Sequence, residues 1–295
     1  MADGTLQVLG LMRWSYPSDI EAFEAPARDL EERRAQLYAP ARMEERLFFL
    51  EHVTLPCLRA QTDRNFRLLM LMGERLPERW RVRVLALTRD IPQVVPLFEP
   101  EGQRHAEVCR RVMKAHRYGR AAAVAEFRLD DDDAMALDFV AATRRAFRQN
   151  RALLTKSRAF CLDYSKGFAL LTGPGGVEVR PIFAQHVGIA QALIYGPRHR
   201  KSLLDYPHRR LWTAMPTLTL PDPVKWVRGI HRTNDSGIAE SVRKLPTWPC
   251  EADAIPLLLA SEFAIDWVAL RDGWARLEAG RAAGGLRPRR TGTKS

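Results

Sequence analysis

Four consecutive carboxylates, Asp130, Asp131, Asp132 and Asp133, follow directly on the short, apolar-flanked run of residues 121–129. Small apolar residues, then acids, then helical spacing from Ala134 onward describe a strand whose C-terminal end delivers negative charge. In open α/β sheets that end of the strands is where ligands bind. Carboxylates packed this closely repel one another, so at least one takes a raised pKa or a cation is shared among them. Mg²⁺ or Mn²⁺ suits such a set, because hard cations prefer oxygen and often use one or two carboxylates plus substrate phosphates. The competing reading is a solvated acidic loop that caps the next helix. A strand-to-helix junction in an otherwise basic chain favours a functional metal or phosphate site. A calcium-binding EF-hand loop is excluded. Counted from Asp130, the sixth position is Met135 instead of Gly and the twelfth is Ala141 instead of Glu.

The elements that must position these acids follow from the apolar runs. Residues 6–12 are compactly apolar, end at Arg13-Trp14-Ser15-Tyr16-Pro17, and read as a buried first strand. Ser18 or Asp19 can cap a helix, and residues 30–58 carry helical spacing at Leu37, Leu47, Leu50 and Val53. Pro40 and Pro56 break or start segments there. Residues 66–72 read as a second strand, terminated by Gly73 and Pro77, and 82–87 and 94–98 as weaker strands. Residues 108–115 begin a helix that leads to the acidic strand, and 137–149 form a helix with Arg144, Arg145 and Arg148 on its polar face. Residues 168–172 and 177–183 flank Gly173-Pro174-Gly175-Gly176, a hairpin signal. That glycine run lacks the GK[ST] ending of a phosphate-binding loop and is read only as a turn. Residues 197–223 are irregular and Pro-rich, 226–232 form a further segment, 257–277 a final helix, and 280–295 a Gly/Arg-rich disordered tail. The expected fold is α/β: a mainly parallel sheet with flanking helices, then an antiparallel, loop-rich half that closes over the strand ends.

With 46% hydrophobic residues and seven Trp, 295 residues suffice for a globular core and argue against disorder. The formal net charge of +11 fits an anionic partner: nucleic acid, a membrane face or a phosphorylated substrate. Codon bias in a GC-rich genome would produce the same excess of Arg. Cys57, Cys109, Cys161 and Cys250 form no CxxC pair, so a zinc site is not expected and reduced thiols are. No signal peptide is recognised, and no stretch approaches the ~20 apolar residues of a membrane span. A cytoplasmic protein is expected.

Several segments together resemble a known family. Phe127-Arg128-Leu129 followed by the four aspartates looks like the DxD motif of GT-A-fold glycosyltransferases. Residues 55–63, followed by Phe66-Arg67-Leu68-Leu69, resemble the early helix-to-strand passage of inverting family-2-like enzymes. Those segments, taken with His231-Arg232-Thr233-Asn234, are similar to the bacterial putative rhamnosyltransferase family, over most of the chain from about Leu9 to about Asn234. The resemblance implies one GT-A-like catalytic domain over residues 1–278, with a nucleotide-binding half at 1–135 and an acceptor half at 136–278, then a basic tail at 279–295.

It also implies roles. Asp130 would lie near the donor ribose and share a divalent cation, Mn²⁺ or Mg²⁺, with Asp132 and His231, the register of the four acids being open by one. Arg232 and Asn234 would reach phosphate oxygens, and the nucleotide would rest near Arg13 and Tyr16. An inverting enzyme needs a base besides the metal. The family's acidic base has no clean match, and Asp205 is the first candidate, His208 the second, with Glu178 and Glu262 behind.

The expected activity is transfer of a sugar, rhamnose by the family likeness, from a nucleotide-sugar donor to a glycan or glycolipid acceptor. The alternatives are a metal-dependent phosphohydrolase or nucleotidyltransferase, which also group aspartates at strand ends, and a basic nucleic-acid-binding protein. The last is disfavoured because the positive residues are scattered and no recognition motif is present. The basic tail could instead touch the anionic inner face of a membrane.

Overall fold

The computed structural model describes residues 3–19, 27–232 and 239–283. Strand β1 (Asp3–Arg13) opens the chain. Helices α1 (Leu30–Leu37), α2 (Pro40–Phe49) and α3 (Leu55–Arg59) follow, with a π-turn at Leu50–Thr54 between the last two. Pro40 and Pro56 both sit in first turns, where the missing N–H costs nothing. Then come β2 (Arg67–Gly73), α4 (Glu78–Thr88), β3 (Val94–Glu99), α5 (His105–Ala115) and β4 (Ala121–Arg128). The acids lead into the two-residue β5 (Ala134–Met135), α6 (Phe139–Gln149) and α7 (Arg151–Ser157). Strands β6 (Ala159–Tyr164), β7 (Lys166–Gly173), β8 (Gly176–Phe183), β9 (Ala192–Tyr195), β10 (Thr217–Leu220) and β11 (Trp226–Ile230) make up the middle of the second half. Helices α8 (Ala239–Arg243), α9 (Ala254–Phe263) and α10 (Trp267–Ala283) close the described chain.

The seven-stranded sheet runs β10-β6-β9-β4-β1-β2-β3. Its β4-β1-β2-β3 portion is parallel, and β9 is inserted antiparallel between β4 and β6. Burial on both faces explains the nearly unbroken apolar runs of β1 and β2. A second sheet, β5-β11-β7-β8, is built on the Gly173–Gly176 hairpin. The α/β class, the mostly parallel sheet and its flanking helices therefore stand as expected.

Several elements differ from the sequence reading. Residues 82–87 are not a strand but lie inside α4, whose buried face is Trp80, Val84 and Thr88 at a spacing of four while Val82 points to solvent. Ala134 does not start a helix: Val227 and Trp226 of β11 pair with Ala134 and Met135, and the helix begins at Phe139. The final helix is two, divided at Ala264, whose φ of +56° ends α9, while Asp266 accepts from the N–H groups of Val268 and Ala269. Helix α10 runs on to Ala283, through the first residues assigned to the tail, and residues 284–295 lie outside the described residues.

Candidate active site

The parallel strands bring Arg13, at the end of β1, and Arg128, at the end of β4, to one edge of the sheet. There the acid run turns tightly: Leu129 donates to the Leu11 carbonyl at 3.1 Å and Asp133 to the Asp130 carbonyl at 3.2 Å. Strand β11 passes beside the turn, and the Gly229 N–H donates to Asp133 Oδ1 at 3.1 Å. Only glycine fits at that point, because a Cβ on Gly229 would sit 2.3 Å from the Asp132 carbonyl oxygen. The strand carries Arg228, and His231 follows directly on its end.

Helix α2 supplies the remaining wall. Arg42, Glu45, Arg46 and Phe49 recur at helical spacing, so one face of the helix looks onto the acid turn. Arg46 forks onto Asp131, with Nε 2.8 Å from Oδ2 and Nη2 bonded to Oδ1, and reaches Asp132 Oδ2 at 3.2 Å. His231 donates Nε2 to Asp132 Oδ2 and Nδ1 to Glu45 Oε1, each at 2.8 Å, and its ring stacks on Phe49 at 4.4 Å. Burial opposes the charge of His231, but its two carboxylate partners prevail and raise its pKa, so it stands as an imidazolium. Burial also pushes Glu45 up, yet His231 and Arg281 outweigh it and pull the carboxyl down to about 2.

The four acids differ in state. Burial raises all of them. In Asp130 the charges of Arg13 and Arg128 reverse the shift, and in Asp132 those of Arg46 and His231 do, so both are ionised. Asp133, buried beside Asp132 and Asp130 with only Arg228 and the Gly229 N–H in its favour, is pushed far up. Of the two outcomes the sequence allowed for crowded carboxylates, burial leaves Asp131, despite its Arg46 fork, and Asp133 raised, while cationic partners hold Asp130 and Asp132 down.

These groups surround a cavity of about 260 Å³. Its lining includes Asp130, Asp132 and Asp133 against six arginines: Arg13, Arg42, Arg46, Arg128, Arg209 and Arg228. Of the residues singled out from sequence, Arg13, Tyr16, Asp130, Asp132 and His208 all line it, and His231 joins through Asp132. Arg13 lies 3.6 Å from Asp130 and 3.3 Å from His105 Nε2. The Tyr16 hydroxyl is turned to the Pro100 carbonyl at 2.7 Å, so Tyr16 offers its ring. The His208 imidazole is neutral, held down to about 3 by burial and by the charges of Arg128, Arg209 and Arg228.

The structure does not bring Asp205 into the lining. It is gripped by the Arg110 guanidinium, with Nε 2.8 Å from both oxygens, and caps its own turn by accepting from Ser202 N at 2.8 Å. Arg232 points away, pairing with Glu278 and lying 3.6 Å from Glu45. Glu178 pairs with Arg180 and Arg243 on β8, and Glu262 belongs to α9. Asn234 lies outside the described residues.

For a divalent cation the donor set is partial. Among the described residues no three His, Cys, Asp or Glu side chains form a cluster able to hold one alone. Both ring nitrogens of His231 are committed to carboxylates, so it orients Asp132 instead of offering a lone pair. Two ionised carboxylates facing one cavity, completed by phosphate oxygens, is nonetheless a set that Mg²⁺ or Mn²⁺ accepts.

Comparison with solved structures finds S. aureus TarS 1–349 with UDP-GlcNAc at 11% identity and a TM-score of 0.38, covering 78% of this chain and 60% of that one. The same protein with UDP matches at 11% and 0.36, over 76% and 60%. A Bacillus anthracis protein described as a "Putative Glucose-1-Phosphate Thymidylyltransferase" matches at 9% and 0.38, over 83% and 98%. The chain thus spans about 60% of the TarS 1–349 length. Likenesses this distant carry no part of the argument. No curated protein matches the sequence. Among the described residues no helix is long and apolar enough to cross a membrane. Residues 7–243, most of the chain and every cavity-lining side chain, match the family described as "Putative rhamnosyl transferase", and the chain belongs to that family.

Proposed function

We propose that this protein transfers a sugar, rhamnose by its family's description, from a nucleoside diphosphate sugar to a hydroxyl of a glycan or glycolipid, with inversion at the anomeric carbon. The observation that carries the reading is the cavity at the C-terminal ends of the parallel strands, where ionised Asp130 and Asp132 face a ring of guanidiniums. The nucleotide rests at the end of β1 against Arg13, Ser15 and Tyr16, and Arg42, bonded to Ser15 Oγ at 2.8 Å, stands beside it. Asp130 and Asp132 would hold a divalent cation there, which when bound would supply Lewis-acid stabilisation to the leaving diphosphate. Arg13 and Arg42 add preorganised positive charge where the negative charge develops. Arg46 and His231 keep the Asp132 carboxylate ionised and aimed. His208 is the candidate base that reaches the lining, and burial and the guanidiniums around it weaken it as a proton acceptor until an anion offsets their charge. A lipid-linked acceptor would suit membrane contact through the basic residues beyond Ala283.

Calorimetric titration of UDP, GDP and dTDP into wild type and Asp132→Asn, with and without Mn²⁺, tests this. One nucleotide should bind the wild type with Mn²⁺ and lose at least about tenfold in affinity in the variant, the scale of a lost charge-assisted contact. Equal Mn²⁺-dependent binding in a folded Asp132→Asn protein would remove the metal assignment. A wild type that releases phosphate or pyrophosphate with no sugar transferred would favour a hydrolase or nucleotidyltransferase.

A further inference from the structure

The arginines of the cavity fall into two groups. Arg13, Arg42 and Arg46 belong to β1 and α2, and they engage Asp130, then Ser15 and the Leu37 carbonyl, and then Asp131 and Asp132. Arg128, Arg209 and Arg228 gather around His208, with Val187 and Ile189 in the same lining. Among the described residues none of these three makes a hydrogen bond or an ion pair with a carboxylate. Like charges brought together repel, and half-buried Arg128 and Arg228 also give up part of their hydration.

The fold spends backbone geometry on this arrangement. The segment from His186 to Ala190 has positive φ at His186, Gly188 and Ala190, of +56°, +90° and +48°. It is anchored by the buried Asp163, which accepts from His186 N at 3.2 Å and from the Gln191 amide at 3.2 Å. This path lays Gly188 flat on the Arg128 guanidinium: a Cβ there would lie 2.6 Å from Nε and 2.7 Å from Nη2. Strained backbone of this kind persists where the surroundings over-determine it, and it gathers at ligand sites. Arg128 is thereby fixed, Arg228 is set by β11, and the exposed Arg209 stands at the mouth on the turn that carries His208.

Charge decides what this wall is for. A nucleotide-sugar diphosphate carries about two negative charges, which Arg13, Arg42 and a cation on Asp130 and Asp132 already match. Three further guanidiniums exceed any need of the donor. Arg209 and Arg228 also lie in the half of the chain expected to hold the acceptor, and Arg128 joins them around His208 from the end of β4. We infer that Arg128, Arg209 and Arg228 form a subsite for an oxyanion on the acceptor, a phosphate or carboxylate carried by the sugar that is glycosylated. Guanidinium forks suit either group because both present paired oxygens in a plane. The inference rests on the glycosyltransferase reading and names its acceptor class.

The test is calorimetry on the full chain saturated with Mn²⁺ and whichever of UDP, GDP or dTDP it binds, titrated with glucose 6-phosphate, glucuronate and glucose. At least one anionic sugar should bind about tenfold or more tighter than glucose, and the preferred one tells phosphate from carboxylate. That preference should drop about tenfold in Arg209→Ala, the loss of one charge-assisted contact, with nucleotide affinity within about twofold of wild type. Arg209→Lys, which keeps the charge without the fork, should lie between. Anionic sugars binding no tighter than glucose would overturn the subsite. So would Arg209→Ala weakening nucleotide and anion equally, since the wall would then serve the diphosphate. If the wild type binds no nucleotide the glycosyltransferase reading fails by itself, and the same titration of the free protein decides whether the wall binds anions.

Discussion

Removing the Arg46 guanidinium takes away the fork on Asp131, which is fully buried, and one of two cationic partners of Asp132. Breaking a buried pair from one side leaves an uncompensated charge, so Arg46→Ala should cost ~3–5 kcal/mol, read as a lower urea midpoint at unchanged slope. Arg46→Lys should recover only part, since it restores the charge and not the fork. A midpoint shift under about 0.5 kcal/mol, the range of an ordinary surface change, would mean the pair is not formed. The acids were legible from sequence, because four at a strand end are unusual, whereas His231 came only from the family resemblance, as a cation ligand instead of the partner that Asp132 and Glu45 make of it. Glu45 and Arg46 were not. Charged residues on a helix ordinarily face water, and nothing in the row of letters says that this face looks inward. The available sign was the recurrence of Arg42, Glu45, Arg46 and Phe49 at helical spacing, which places two arginines and an acid on the stripe of a phenylalanine. Asp205 attracted attention for the opposite reason. An acid in a loop looks available, and only three-dimensional proximity reveals Arg110 holding it.

At the scale of elements, β11 is pressed onto the acid turn so closely that Gly229→Ala must move one of them. The variant should lose ~1–3 kcal/mol, as overpacked sites do, and should weaken nucleotide binding by shifting Asp132. Gly173→Ala, at the hairpin with nothing within 4 Å of its Cβ position, is the control and should change neither the urea midpoint nor nucleotide affinity appreciably. Equal effects of the two substitutions would deny the close contact. The hairpin was readable because Gly-Pro-Gly-Gly is a turn by its own chemistry. Strands β6 and β9 were missed: they are short apolar stretches whose partners lie far away in sequence, so pairing and not propensity makes them strands. Residues 82–87 misled in the other direction, because Val82, Val84 and Leu85 favour strands while the burial of Trp80, Val84 and Thr88 follows the helix.

For the whole molecule, pH should act through buried imidazoles. His105 and His208 each fall from 6.5 to about 3, first by burial and then by neighbouring arginines. They are neutral in the folded chain and ionise near 6.5 when it unfolds, so between about pH 6.5 and 3 the unfolded chain binds more protons. Stability therefore falls as the pH drops through that window. Glu45, lowered from 4.5 to about 2, adds a loss of the same sign below 4.5. Denaturant midpoints at a series of pH values should decline below 6.5, and His208→Gln should flatten part of that decline. Asp133 and His231, raised in the fold, act with the opposite sign, so the contrast with the variant is decisive: a His208→Gln profile parallel to wild type from 7 to 4 would contradict neutral burial of that ring. The excess of positive charge was visible in composition, but its concentration on one cavity wall was not, because composition carries no address. Glu45 receives Arg281 from α10 as well as His231, and Arg232 is clasped by Glu278 of the same helix. The family match stops at residue 243, nearly forty positions earlier. The stretch shared by relatives and the stretch that holds the acids' supporting histidine in place are thus different lengths, and a fragment trimmed to the shared stretch would keep every group that lines the cavity while losing the clamp behind it.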